Sequence, residues 1–317
     1  MKKYDVTALG ELLIDFTENG KSGQGNSLFE ANPGGAPCNM LAMLTKLGHE
    51  TAFIGKVGND FFGKQLKEAL EETGIDSTWL QMDEEVHTTL ALVHTFEDGD
   101  RDFSFYRNPG ADMMLTEDEI PEELIENSKL FHFGTLSMTH EGVRAATKKA
   151  IRLAEEAGAL ISFDPNLRPP LWNTLEEAKE QIAYGMKLCD VLKISDNEVE
   201  FMTGESDIVK GVEILKGMTS ARLICATAGK DGSYAFCGDR QVFAPGVKVE
   251  HVVDTTGAGD TFCACMIDYV LDHGTDLTEE QMKEMLVKAN QTASMITVKK
   301  GALRVMPTVE EIKKAFG

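Results

Sequence analysis

Residues 254–262 read Asp254-Thr255-Thr256-Gly257-Ala258-Gly259-Asp260-Thr261-Phe262. Two glycines flank one alanine, so several backbone N–H groups can face one point with no side chain in the way. The apolar run from Cys263 to Tyr269 predicts a helix, which would aim the positive end of its dipole at whatever sits before Gly257. Such a nest suits an anion, above all a phosphoryl group gaining charge in transit. Asp260 puts a carboxylate where an anion site should reject one. Beside the nest, that carboxylate is placed to take a proton from an attacking hydroxyl. The plainer reading is a glycine turn capped by Asp260, so the rest of the chain has to decide.

The surrounding pattern predicts where this segment sits. Residues 6–10 read as a buried strand that 12–14 continue toward Asp15. Met40, Leu41, Leu44 and Leu47 recur at helical spacing and predict a helix over 36–47, stopped at Gly48. Further strands are predicted at 51–55, 129–134, 160–164, 191–195 and 223–227, with helices over 62–73 and 144–157. Strands alternating with helices imply a mostly parallel sheet covered on both faces. Sites in such sheets form beyond the strand C-termini, where Asp164, Ser195, Thr227 and the Gly257 nest would gather. Residues 27–32 and 88–107 break the alternation. Both are extended, the second around an Asp98-Gly99-Asp100 hairpin turn. They predict a small β lid, about 12–33 and 88–110, on a single domain of 1–317.

Composition narrows the partners. The 317 residues suffice for one large core or two small ones. A net charge of −21 argues against a nucleic-acid surface, which needs a basic stripe. It leaves room for one nucleotide held by a metal ion and local donors. No apolar run approaches the ~20 residues that cross a bilayer, and no secretory leader precedes the strand-like start. Six scattered cysteines lack metal-ligand spacing and read as reduced thiols in a cytoplasmic protein.

Several motifs fail on inspection. Residues 58–65 nearly match a P-loop, but Gln65 stands where a hydroxyl must meet magnesium. Residues 98–102 begin like a calcium loop, yet Phe103 takes the glycine position and Pro109 the closing glutamate position. The dinucleotide glycine fingerprint does not occur. The seven histidines form no zinc or triad pattern.

Two further constellations carry chemistry. Gly10-Glu11-Leu12-Leu13-Ile14-Asp15 puts Asp15 at a strand end, where a carboxylate accepts from paired sugar hydroxyls or caps a turn. Asn32-Pro33-Gly34-Gly35-Ala36-Pro37-Cys38-Asn39 is a tight turn opening a helix, with Asn39 available for a hydroxyl. Together with the nest, these segments resemble the ribokinase-like (PfkB) carbohydrate kinases. Residues 34–63, from Gly34-Gly35-Ala36-Pro37-Cys38-Asn39 to Asn59-Asp60-Phe61-Phe62-Gly63, look like the family's first signature; residues 254–262 look like the second, without departure. The stretches 10–16, 105–112, 164–172 and 193–198 are most similar to fructokinases within it.

The resemblance implies a three-layer α/β/α sandwich with a lid, and an ATP-dependent kinase of a sugar hydroxymethyl group. It implies Asp260 as general base and the amides of Gly257, Ala258 and Gly259 as the anion hole. Asp15, Gly34, Gly35, Asn39, Arg107, Asn166 and Arg168 would surround the sugar. Thr227, Gly229, Gly232 and Asn290 would surround the nucleotide. Asn197 and Glu200 would order magnesium and its waters, or else form a helix cap and its capping-box partner. Asp254 and Thr256 would bind a monovalent cation, potassium being expected. Fructose is the first expected substrate, ahead of 2-keto-3-deoxygluconate, ribose or an aminoimidazole riboside. A sugar or nucleotide sensor is the reading from another class, and an intact Asp260 argues against it. The apolar face of Leu90, Leu92, Phe103 and Phe105 suggests a lid that covers its own site or pairs two copies.

Overall fold

The computed structural model describes residues 2–95 and 101–316. The turn expected at Asp98-Gly99-Asp100 and the side chain of Phe103 lie outside the described residues. The chain begins with β1 (Tyr4–Leu9), β2 (Leu13–Lys21), β3 (Ser27–Gly34), α1 (Ala36–Leu47), β4 (Thr51–Gly58) and α2 (Phe61–Thr73). Next come β5 (Leu80–Asp83), β6 (Leu90–Thr95), β7 (Arg101–Tyr106), α3 (Glu122–Glu126), β8 (Ser128–Gly134) and α4 (Glu141–Glu156). They lead to β9 (Leu160–Asp164), α5 (Leu175–Leu188), β10 (Val191–Ser195), α6 (Asp196–Thr203), α7 (Ile208–Lys216) and β11 (Leu223–Thr227). β12 (Gly232–Cys237), β13 (Arg240–Pro245), α8 (Ala258–His273), α9 (Glu279–Ile296) and α10 (Val309–Phe316) close the chain.

The main sheet runs β13-β12-β11-β10-β9-β8-β1-β4-β5. From β11 to β5 every pairing is parallel, and β12 and β13 add an antiparallel edge. Alternation along the strands divides the core. Val191, Leu223 and Cys225 pack with Met40 of α1, Leu66 of α2, Met266 of α8 and Leu286 of α9. Leu192, Ile194 and Ile224 pack on the opposite face with Ile151 of α4, Ile182 of α5 and Val212 of α7. A sheet buried on both faces has no polar side to show, hence its near-continuous apolar strands.

One expectation is corrected. Residues 12–14 do not continue β1 in the same sheet; β2 leaves it and joins a second sheet ordered β3-β2-β6-β7. Leu12, Leu13 and Ile14 are all buried at this junction. An apolar run there looks the same whether the strand continues or changes sheets. Asp15 therefore lies near the base of the lid, on its third residue, and not at the end of a central strand.

The near P-loop of 58–65 has a structural task. Asp60 caps α2 by accepting from Gly63 N–H at 2.8 Å and also holds Thr88 N–H at 2.8 Å. A Cβ on Gly63 would meet Gly58 O at 1.9 Å, so the turn needs glycine. The segment ties the lid base to the sheet.

Candidate active site

The ends of β9 and β10, the base of β2 and the first turns of α1 and α8 enclose a cavity under the lid. Glu11, Asp15, Gly35, Asn39, Phe105, Asn166, Arg168, Lys193, Thr256, Gly257, Gly259 and Asp260 line it. Glycines shape the turn before α1 by what they lack. A Cβ on Gly34 would sit 2.3 Å from Asp15 Oδ2, so Gly34 makes room for that carboxylate without lining the cavity itself. Gly35, at φ +122°, would drive a Cβ to 2.3 Å from Glu11 O.

Gly257 caps α8 in the left-handed region, and Asp260 stands in the helix's first turn. Asp260 is half-buried on the cavity wall. Loss of water on its protein side pushes its pKa up to about 6, while a hydrogen bond from Asn39 works in the opposite direction. Asp164 adds to the rise; Lys193 and Arg168 oppose it. A carboxylate tuned there is ionised at neutral pH and is a stronger base than an ordinary one.

Lys193 is the residue sequence reasoning misses. Its Nζ lies 2.9 Å from Asp164 Oδ2 and 3.2 Å from Oδ1, inside the protein. A Cβ on Gly259 would approach that Nζ to 3.3 Å, so the ammonium stands beside the bare Cα of the nest. Burial alone would discharge it, but Asp164 and Glu198 hold its pKa above the ordinary lysine value. The missed signal is a lysine inside the apolar strand Val191-Leu192-Lys193-Ile194, since buried lysines are rare unless paired. Glu11 is a second omission. Its Oε1 accepts Ala36 N–H at 2.8 Å, and burial pushes its pKa up to about 7.

A second cavity adjoins the first. Thr227, Gly229, Gly232 and Asn290 line it, together with an apolar group of Val247, Val249, Val252, Phe262 and Ala293. Gly232, at φ +126°, would place a Cβ 2.2 Å from Ala244 O. Asn290 donates to Ala244 O at 3.2 Å and Pro245 O at 3.3 Å, and accepts from Ser233 Oγ at 2.9 Å. It holds the end of β13 against α9 as the wall of an apolar slot. Thr255 and Gly259 line both cavities. The two chambers thus meet at the first turn of α8, where its dipole and open amides are strongest.

Three expected residues fall elsewhere. Arg107 lies just past β7 as anticipated, but its side chain is 2% exposed and lines neither cavity. It donates to Asp112 at 2.7 Å, Thr139 Oγ1 at 2.8 Å and Leu136 O at 3.0 Å. Asn197 and Glu200 lie on the exposed side of α6 and line neither cavity. The expected cap is corrected as well: Ser195 is the N-cap, and Glu198 completes the capping box. Glu198 is buried, accepting from Leu167 N–H at 2.7 Å and Ser195 N–H at 2.8 Å.

Within the nest, Ala258 N–H turns back to Thr255 O at 3.2 Å, and Ala258 lines the second cavity. Asp254 is buried, receiving Thr256 N–H at 2.8 Å and Gly301 N–H at 3.1 Å. Asn166 adopts φ +45°, a left-handed conformation uncommon outside glycine. Its Oδ1 accepts from Arg168 Nη1 at 2.8 Å, which orients the guanidinium on the cavity wall. Among the described residues, no helix is long and apolar enough to cross a membrane, and no cluster of His, Cys, Asp or Glu could hold a metal ion.

Comparison with known proteins gives the family. The profile of the pfkB family carbohydrate kinases matches residues 3–309. Fructokinase-2 of Solanum lycopersicum is 40% identical over 309 residues, covering 96% of this chain and 94% of its own. The crystal structure of a fructokinase with bound ATP from Xylella fastidiosa gives a TM-score of 0.89 at 27% identity, over 99% of this chain and 98% of that one. A fructokinase from Vibrio cholerae O395, in its fructose, ADP and calcium ion bound form, gives 0.88 at 27% identity over 100% of both chains. With the profile running almost end to end over a fold and a nest of this kind, the chain belongs to the pfkB family of carbohydrate kinases.

Proposed function

We propose that the chain transfers the γ-phosphoryl group of ATP to the 6-hydroxyl of D-fructose, with Asp260 as general base. The observation that carries this reading is the shared wall at Gly259, with Asp260 next to it on the same helical turn. The hydroxyl proton passes to Asp260 as the oxygen–phosphorus bond forms. The bond from the γ-phosphorus to the bridging oxygen breaks, and its electron pair leaves with ADP. The open end of α8 at Gly257 and Gly259 stabilises the developing charge, and Lys193 adds a fixed cation beside it. Ala258, whose N–H already has a backbone acceptor, serves as wall on the nucleotide side.

Asp15, Asn39, Asn166 and Arg168 surround the ketose, with Gly34 and Gly35 giving them room. An acidic sugar would call for an added cationic clamp; Arg107 is committed to Asp112 and Lys193 to Asp164, which leaves Arg168 to serve the sugar and favours a neutral ketose. The apolar slot of the second cavity suits a purine base. Magnesium, when bound with the triphosphate, neutralises phosphate charge. Glu198 is the better candidate to orient its waters than Glu200, because its buried carboxylate acts on the cavity-lining Lys193, whereas Glu200 is exposed. Potassium fits beside Asp254 and Thr256, where a buried carboxylate enters the nest.

Leu28, Phe29 and Tyr106 are exposed on the lid and support a homodimer through it; a monomer mass at every concentration in sedimentation would overturn that. Six free, buried cysteines support a reducing, cytoplasmic setting. The deciding experiment is an ADP-release assay over a sugar panel, with the product identified by mass and NMR. Fructose 6-phosphate is the expected product. Turnover confined to 2-keto-3-deoxygluconate or a riboside would move the substrate, and no turnover with any sugar would favour the sensor.

A further inference from the structure

The carboxylate of Asp260 is not held by α8 alone. Asn39 lies in the first turns of α1, which packs against α8. Its Nδ2 donates to Asp260 Oδ2 at 2.8 Å. Only the nitrogen end of the amide can face a carboxylate favourably, so chemistry sets the orientation of the side chain. The other end is enclosed. Asn39 Oδ1 is buried and, among the described residues, has no hydrogen-bond partner. An unpaired buried acceptor costs stability, so what turns the amide this way round is its Nδ2 contact with the base.

The turn presenting Asn39 is itself fixed. Gly35 occupies a backbone region closed to side chains, Glu11 holds Ala36 N–H at 2.8 Å, and Asn39 N–H bonds to Gly35 O at 2.9 Å. Resting on the reading of Asp260 as base, we propose that Asn39 is its positioning residue. The Nδ2 bond occupies Asp260 Oδ2 and leaves Oδ1 to receive the hydroxyl proton. One amide thereby fixes which carboxylate oxygen of the base faces the hydroxyl.

The hydrogen bond also favours the ionised form of Asp260, against the enclosure that pushes it to about 6. The other charges facing Asp260 are Asp164 on β9, Lys193 on β10 and Arg168 beyond β9. Cys38 on α1 and Cys263 on α8 are neutral thiols at working pH. Glu11 and neutral His132 share a cavity wall with it. Substitution at Asn39 changes none of these groups chemically, so a shift of the kinetic pKa reports the amide.

Asn39→Leu removes the donor at similar volume, and Asn39→Asp sets a second carboxylate in its place. The measurement is kcat from about pH 5 to about pH 9 at saturating fructose and ATP, with both KM values. In Asn39→Leu the acidic limb should rise by about one unit and plateau kcat should fall about tenfold, with the KM for ATP within about twofold. In Asn39→Asp the limb should rise further, since two adjacent carboxylates share one proton. Thermal melts and ATP binding check that each variant is folded, and the near-isosteric Asn39→Asp serves if Asn39→Leu is not.

A raised sugar KM with limb and plateau unmoved would reduce Asn39 to a sugar contact and overturn the proposal. So would a further loss of kcat when Asn39→Leu is added to Asp260→Asn, because a positioning residue has nothing left to position. Full turnover in Asp260→Asn alone would strike the base assignment instead, a separate result.

Discussion

The two cavities share Thr255 and Gly259 but are made of different materials. The first, which we propose as the sugar side, is made of polar side chains held inside the protein: Glu11, Asp15, Asn39 and Lys193 are all buried, each held by a partner or a neighbouring glycine. The second, proposed as the nucleotide side, is made of backbone turns and an apolar slot, with Asn290 spent on the wall. Recognition of hydroxyls demands placed acceptors, so the sugar side carries shifted carboxylates. Recognition of a flat base demands only shape, so the nucleotide side leans on positive-φ glycines and valines. Substitutions on the sugar side should therefore change chemistry and pH response, and those outside both cavities should change stability or nothing.

The sharpest break of this contrast is Asp260→Asn. Turnover should drop by roughly 10²–10⁴-fold, with sugar and ATP binding retained by calorimetry; unchanged turnover would remove the base. Next comes Arg107→Met, which strands Asp112 as an unpaired buried charge. It should destabilise the fold by about 3–5 kcal/mol in urea unfolding, while the KM of the folded fraction for fructose stays within about twofold. A large KM rise with stability intact would return Arg107 to the sugar.

Glu11→Gln should raise the KM for fructose about tenfold and flatten its dependence near pH 7, leaving the kcat limb at Asp260 in place. Its thermal behaviour carries a second sign. The folded pKa of about 7 lies above the ordinary value of 4.5 that holds in the unfolded chain, so the folded chain keeps its proton longer than the unfolded one. That contribution is greatest below 4.5 and is lost as pH rises toward 7. Melting temperature should thus fall less steeply across this window in Glu11→Gln than in the parent, and an identical slope would contradict the burial of the charge. The smallest effect belongs to Glu200→Gln on the exposed face of α6, where kcat and the magnesium requirement should move by less than about twofold. A large loss there would shift the magnesium role back from Glu198.

What was legible in the sequence depended on how local its physics is. The strands ending at Asp164, Ser195 and Thr227, and the helix over 36–47, follow from period and capping alone, and the structure has them at those bounds. The nest was legible because glycine spacing is itself the geometry. Asp15 lies within the lid expected over 12–33, whereas 12–14 do not extend β1, because an apolar run does not say which sheet it joins. The family resemblance sets Arg107 at the sugar, but its ion pair with Asp112 depends on how a loop folds back. Glu198 was overlooked although Ser195-Asp196-Asn197-Glu198 is a capping-box pattern, because helix start and motif register compete over the same residues. Lys193 could not be paired with Asp164 without knowing that β9 and β10 are neighbours.

The chain's change of sheets between Leu9 and Leu13 has a mechanical side. β2 runs nine residues from its root beside Asp15, an arm of about 30 Å at ~3.4 Å per residue. Such an arm turns a tilt of about 10° at its root into about 5 Å of travel at its far end. Whatever a hexose does to the carboxylate at that fulcrum is thereby amplified at a distance, where a fluorophore near Asn19 would register it long before the chemistry begins.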